Sequence, residues 1–251
     1  MKYSICITHY NNRATIEASL DSILKQIPED CELVVVDQMS TDGSREILER
    51  YNKAGKIRLY HQGVRNRGLG RQLAFEHSNG DYIISSVDMD DVMKPLLRDA
   101  ISLYHQSFEG SFMLMTGFSI APRRLIEEIG GWRDLHCHQD WDVWMRAASV
   151  SRFVFLPFDI DEFRRSHASR GMRFILEQQY GKARDMYRLG RDPLERDGRR
   201  LPAYLLTVVV APVAYLRSRF MKRFEPAIKG FDTKDYAVTL DFEKFVSSRR
   251  A

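Results

Sequence analysis

Three carboxylates fall within four positions of one segment, at Asp88, Asp90 and Asp91 in YIISSVDMDD. Like charges this close repel, so the arrangement calls for a cation or for full solvation. Asp88 and Asp90 are two apart and point the same way if a strand continues through them. A strand entering a tight turn can close such a pair around a hard divalent ion, Mg²⁺ or Mn²⁺, shared with substrate phosphates. The same residues also suit a solvated loop, with Asp91 capping the helix that Pro95 opens. A second acidic group lies in HQDWDVWMR. On a helix Asp140 and Asp142 stand about 200° apart, so they serve different faces. Asp142 and Arg146 are four apart and are expected to form an exposed ion pair. Asp140, at the helix start, is left for chemistry or for an N-cap.

Such residues need elements to hold them. Short runs rich in apolar and β-branched residues read as strands: YSICITHY, CELVVVD, KIRLYHQ and DYIISSVD. Helix-patterned stretches separate them, and in the first of these Ile16, Leu20, Ile23, Leu24 and Ile27 mark one apolar face. This alternation predicts an α/β fold, a Rossmann-like and mostly parallel sheet flanked by helices, with ligands beyond the C-terminal strand ends. Asp37 is expected to end the second strand and Asp88 the fourth, which puts both at that mouth. FMLMTGFSIA reads as a further strand, RRLIEEIGG as a short helix closed by glycine, and QDWDVWMRAA as another helix. From about Arg164 the chain turns basic and helical, so two regions are expected, 1–163 and 164–251.

At 251 residues, 44% hydrophobic and net charge +4, the chain suits one large domain with an appendage. The mild charge, without aromatic residues interleaved among the basic ones, argues against nucleic acid as a partner. Three cysteines without disulfide or zinc spacing predict reduced thiols, and MKYSICITHY enters a strand at once, so a cytoplasmic setting is expected. GLGRQL is no dinucleotide fingerprint, because Leu73 stands where a third glycine belongs. The adjacent His136 and His138 of HCH cannot both reach one zinc ion easily and read as loop.

Four landmarks in order resemble family 2 glycosyltransferases of the GT-A fold, over roughly residues 2–166. They are SICITHYNN, LVVVDQMSTDGS, NRGLGRQLAFEHSNGDYIISSVDMDD and GGWRDLHCHQDWDVWMR. The resemblance implies an inverting, metal-dependent enzyme of the hexosyltransferase kind. Its donor would be a nucleotide-sugar, a UDP-sugar ahead of a GDP-sugar, and its acceptor a hydroxyl of a glycan or a polyprenyl-lipid-linked molecule. Thr8, Tyr10 and Asp37 would then hold base and ribose, with Gly68 in the matching nucleotide-binding stretch. Asp88 would face ribose and phosphate, Asp90 would bind Mn²⁺ or Mg²⁺, and Asp140 would be the general base. His167 matches a late histidine that sometimes joins the metal, and equally suits a solvated position. The chain departs from the family pattern at Gln38 and Met39, where Asp-Gly is usual, and at Gln139, where Glu is usual. Those departures keep a catalytically silent sugar-nucleotide binder at a membrane surface in view, and a sugar nucleotidyltransferase shares the general architecture.

From Arg164 to Arg200 there are eleven Lys and Arg against five Asp and Glu. Residues 201–216, LPAYLLTVVVAPVAYL, then carry no charge, and RSRFMKRF follows at once. The run is short for a spanning helix and holds Pro202 and Pro212. A basic-flanked apolar segment of this kind is expected to touch a membrane peripherally, at the inner face, or else to pack on the domain with its flanks solvated.

Overall fold

The computed structural model describes residues 1–163, 172–194 and 201–250. The first half of the chain alternates strand and helix: β1 (Tyr3–His9), α1 (Ile16–Leu24), β2 (Cys31–Asp37), α2 (Ser44–Lys53), β3 (Arg58–His61), α3 (Arg67–Glu76) and β4 (Tyr82–Ser85). It continues through β5 (Asp91–Met93), α4 (Leu97–Leu103), β6 (Phe112–Thr116), β7 (Phe118–Pro122), α5 (Arg123–Glu128), α6 (Gln139–Val150), β8 (Phe153–Asp159) and β9 (Asp161–Phe163). Three helices follow, α7 (Met172–Arg188), α8 (Leu201–Ser218) and α9 (Phe242–Arg250).

Seven strands form one sheet in the order β3-β2-β1-β4-β7-β6-β8. β1 pairs in parallel with both β2 and β4, β2 pairs in parallel with β3, and only β7 runs against its neighbours. Period-two alternation sorts the side chains of the central strands between two helical layers. Ile5, Ile7, Leu33 and Val35 pack with Ile16, Leu20 and Ile23 of α1 and with Leu48 of α2. Cys6, Val34 and Val36 pack on the other side with Ala74 and Phe75 of α3 and Val143 and Met145 of α6. Burial on both faces is why β2 reads as an unbroken apolar run rather than an alternating one.

The structure corrects three expectations. β4 stops at Ser85, because Ser86 takes a left-handed conformation (φ 62°), so Asp88 lies in the turn beyond the strand rather than at its end. Asp91 caps no helix; it opens β5, which pairs antiparallel with β9 in a separate two-stranded sheet. FMLMTGFSIA is a hairpin, β6 and β7, turning at Gly117 (φ +76°), where a Cβ would collide with the Asp161 carboxylate. β8 and β9 were not anticipated, since Phe153–Asp159 carries a proline and an acidic end that mask its strand pattern.

The C-terminal helices are fastened to the α/β unit. Thr207 of α8 lies 3.3 Å from the Gln179 side-chain oxygen of α7, and the Tyr187 and Tyr215 rings meet at 5.2 Å, so the two helices run side by side in the same direction. Asp185 of α7 is fully buried and accepts hydrogen bonds from the backbone N–H groups of His136 (2.6 Å) and Cys137 (2.8 Å). Buried Arg188 donates to the carbonyls of Asp134 and Lys222. The expected boundary at Arg164 lies outside the described residues.

Three non-glycine residues have left-handed backbones, Asn11, Met39 and Ser86, and they follow β1, β2 and β4 at one end of the sheet. Strain of this kind collects where chain geometry serves a site. Met39 (φ 63°) is half exposed, so its side chain contributes little packing. A left-handed L-residue costs roughly 1–2 kcal/mol, and glycine's extra unfolded-state freedom takes back about 0.5–1. Met39→Gly is therefore expected to stabilise the fold by about 0.5–1 kcal/mol, read as a higher denaturant midpoint at unchanged slope.

Candidate active site

β1 and β4 are neighbours, yet the chain leaves β1 toward β2 and β3 and then returns to β4 on the other side. That switch of direction opens a crevice at the C-terminal strand ends, and a cleft of about 850 Å³ lies there. The exit from β1 lines it with Thr8, Tyr10 and Arg13, the start of α3 with Arg65 and Arg67, and the turn after β4 with Asp88 and Asp90. α7 closes the wall with Gln178 and Lys182. The Arg65 guanidinium stands 4.3 Å from the Tyr10 ring centroid, giving a charged plane stacked on an aromatic one.

Asp88, Asp90 and Asp91 each offer an oxygen within 4.8 Å of the others. Oxygen ligands about 2.0–2.6 Å from a hard cation span such separations, so this donor set fits Mg²⁺ or Mn²⁺. His167 lies outside the described residues. Asp161, paired with Met93 across the small sheet, is held above the usual carboxylate range by burial, with Asp159 and Asp88 adding to the effect. Negative charge therefore extends beyond the three ligand candidates.

Asp140 stands apart from that cluster at the start of α6 and is joined to it by one side chain. Arg71 of α3, 3% exposed, places Nη1 2.5 Å from Asp140 Oδ1 and Nη2 3.6 Å from Asp88 Oδ1. Gln139 Nε2 donates to the other Asp140 oxygen at 3.2 Å. Burial raises the Asp140 pKa above its ordinary value; Arg71 pulls it down, and the Asp88 charge pushes it up again. A carboxylate made more basic in this way is better suited to accept a proton.

Asp37, Gly68 and Asp140 do not line the cleft; Asp140 is linked to cleft-lining Asp88 through Arg71. Asp37 ends β2 as expected but is wholly buried, with Oδ2 accepting from Arg45 Nε (3.1 Å) and from the Ser40 N–H (3.3 Å). Its Oδ1 has no hydrogen-bond partner among the described residues. Gln38, where the family has Asp, does reach the cleft and donates to the Asn66 carbonyl. Gly68 serves packing: its N–H bonds the Leu135 carbonyl at 3.0 Å, and a Cβ would collide with the backbone at Arg133 and Leu135. Thr8, Tyr10, Asp88 and Asp90 are brought together in the cleft.

Sequence reasoning passed over Arg65, Arg67, Arg71, His136 and Lys182. The first three sit in VRNRGLGRQ, where the signal was a run of cations shortly before the strand that leads to Asp88 and Asp90. His136 and Lys182 reach the cleft only because α7 folds back onto the loop before α6, which no local pattern announces. Burial, with Arg67 and Arg65 nearby, lowers the His136 pKa to about 4, so its ring is neutral at pH 7.

This sheet, with its crevice and flanking helices, is the GT-A fold of glycosyltransferases. Two solved structures share it: Staphylococcus aureus TarS 1–349 in complex with UDP-GlcNAc (TM-score 0.56, 19% identity, 88% of this chain and 73% of that one) and the mannosyltransferase PcManGT from Pyrobaculum calidifontis in complex with GDP-Man and Mn²⁺ (TM-score 0.57, 18% identity, 99% and 79%). The sequence model of glycosyl transferase family 2 matches residues 4–119 of this chain. The cholesterol galactosyltransferase of Borreliella burgdorferi is 32% identical over 182 residues, which is 72% of this chain and 44% of that protein. The poly(ribitol-phosphate) β-N-acetylglucosaminyltransferase TarS of Staphylococcus aureus is 33% identical over 105 residues, 40% of this chain and 18% of that protein. The chain thus spans less than half the length of these curated relatives.

Asp142 faces away from the cleft, as its spacing from Arg146 predicts, but the pair is buried rather than exposed. Its two oxygens meet Arg146 Nε (2.9 Å), Arg146 Nη2 (2.7 Å) and Arg133 Nη1 (3.1 Å), with Asp142 at 0% and Arg146 at 5% side-chain exposure. Arg146 also donates to the carbonyls of Ile129 and Gly131, tying α6 to the GGW turn. Removing the charge leaves two guanidinium groups uncompensated, one of them buried. Asp142→Asn is expected to cost roughly 3–5 kcal/mol of folding stability, far above the cost for a surface pair, as checked by chemical denaturation.

Proposed function

We propose that this protein is an inverting glycosyltransferase that moves a sugar from a nucleoside-diphosphate donor to an acceptor hydroxyl. One observation carries the reading. A three-carboxylate cluster, two members of which line the cleft at the switch point of a GT-A sheet, is joined by one buried arginine to a separate, more basic carboxylate, Asp140. The donor's base and ribose would lie against Thr8 and Tyr10, which line the cleft. UDP-sugars rank ahead of GDP-sugars. The UDP-GlcNAc complex of TarS supports the first, and the GDP-Man complex of PcManGT keeps the second.

Asp88, Asp90 and Asp91 would hold Mn²⁺ or Mg²⁺, which when bound neutralises charge on the departing diphosphate. Arg65, Arg67 and Lys182 line the same cleft and would add positive charge around those phosphates. As the acceptor oxygen attacks the anomeric carbon and the bond to the diphosphate breaks, Asp140 would take the hydroxyl proton. Arg71 would keep the Asp140 carboxylate aimed and separate its charge from that of Asp88. The hydroxyl would belong to a glycan or to a lipid-linked molecule.

Two measurements test this reading. Nucleoside diphosphate is expected to raise the thermal midpoint more with Mn²⁺ or Mg²⁺ than with chelator, by linkage worth a few kcal/mol (~3) at saturating ligand, and Asp90→Ala is expected to remove the metal-dependent part. A panel of UDP-, GDP- and dTDP-sugars in that assay identifies the donor; equal stabilisation with and without metal contradicts the cluster's role. With donor and acceptor in hand, Asp140→Asn is expected to lower single-turnover transfer by about 10²–10⁴ while donor affinity hardly changes. Full transfer by that variant would remove Asp140 as the base.

A further inference from the structure

α8 is apolar all round, and only one of its faces is covered. Thr207, Ala211, Ala214 and Ser218 are buried and recur at three- and four-residue spacing. Gln179 and Tyr187 of α7 mark the side on which the helix packs. Leu205, Val209, Pro212 and Leu216 follow the same spacing on the opposite side and are exposed, Val209 by 69% and Leu216 by 58%. Val208 and Val213 widen this stripe, and just past the helix end Phe220 is 86% exposed. A helix that presents such a face to water ordinarily has a partner for it.

Charge identifies the partner. Arg217, Arg219, Lys222 and Arg223 cluster at the end of the stripe and are exposed, and no Asp or Glu occurs from Leu201 to Phe224. A second copy docking here in parallel would bring two basic ends together, and an antiparallel one would set each against a helix start with no Asp or Glu between Leu201 and Phe224 to meet it. Among the described residues no helix is long and apolar enough to cross a membrane. We propose that the outward face of α8 lies in the interface of an anionic lipid membrane, with the stripe among the acyl chains' upper carbons and the four basic residues at the headgroups. α7 lines the cleft with Glu177, Gln178 and Lys182 while its other side packs on α8. The cleft then sits about one helix diameter, roughly 10–12 Å, from the bilayer surface.

The test is co-sedimentation of the full chain with vesicles of phosphatidylcholine, with or without phosphatidylglycerol, alongside light scattering of the protein alone. Binding is expected only with phosphatidylglycerol, and added salt should weaken it. Val209→Glu with Leu216→Glu changes only exposed positions and is expected to lower vesicle partitioning at least ~10-fold at unchanged thermal midpoint. Replacing Arg217, Arg219 and Arg223 with Gln is expected to lower it by about 100-fold, at about tenfold per 1.4 kcal/mol and roughly one such step or less per charge, without touching the apolar face. The proposal is overturned if the parent protein stays in the supernatant with phosphatidylglycerol vesicles, or if both variants sediment as it does. It is equally overturned if the parent is a dimer that the glutamate pair dissociates, because a second copy then covers the face.

Discussion

Everything at this site depends on one constraint of chain path: β1 and β4 lie side by side in parallel, and the chain departs from them in opposite directions. No connection can cover the gap between their C-terminal ends, so a crevice forms there whatever residues line it. The three left-handed, non-glycine residues, Asn11, Met39 and Ser86, all stand at this edge. They turn the chain sharply just past β1, β2 and β4, whose last residues His9, Asp37 and Ser85 are buried. Ser86 in particular ends β4 early and swings Asp88 and Asp90 into the cleft, while Asp91 is returned to a strand by β9.

That crevice gathers charge of both signs, with Asp42, Asp88, Asp90 and Glu177 beside Arg13, Arg65, Arg67 and Lys182. Asp88, Asp90 and Asp91 crowd together, with Asp161 close enough to have its own pKa raised in part by Asp88. Arg71 reaches Asp140 directly and Asp88 at longer range, so one buried cation serves two acidic groups from different parts of the chain. The contrast with Asp142 is instructive, because there two arginines and complete burial satisfy the carboxylate and leave it nothing to do but hold α6 in place.

The C-terminal helices extend the same logic outward. α7 is anchored by buried Asp185 and Arg188 to the loop that precedes α6, so the wall it gives the cleft is positioned by the same contact that sets α6. α8 packs on α7 through small residues, which permits close approach and leaves its large apolar residues facing out. Helix packing, cleft wall and exposed apolar face are therefore one assembly.

The sequence by itself determined the α/β class, the order of the first four strands and the helices between them, because periodicity is a local property that burial on one or two faces imprints directly. It also separated Asp140 from Asp142, since helical geometry fixes which face each can occupy. It could not show that Asp142 is buried, because its second partner Arg133 lies in a different turn, nor that FMLMTGFSIA folds back at Gly117, because a glycine inside an apolar run reads equally as strand or turn. Asp37 and Gly68 looked like lining residues by position, yet closure of the sheet buried one and helix docking occupied the other. Arg71 was legible only as a cation in a helix; that it joins Asp140 to the acidic cluster was decided by the meeting of α3, α6 and the β4 turn. Contacts between residues about seventy positions apart leave no periodic trace, and only tertiary packing can make them.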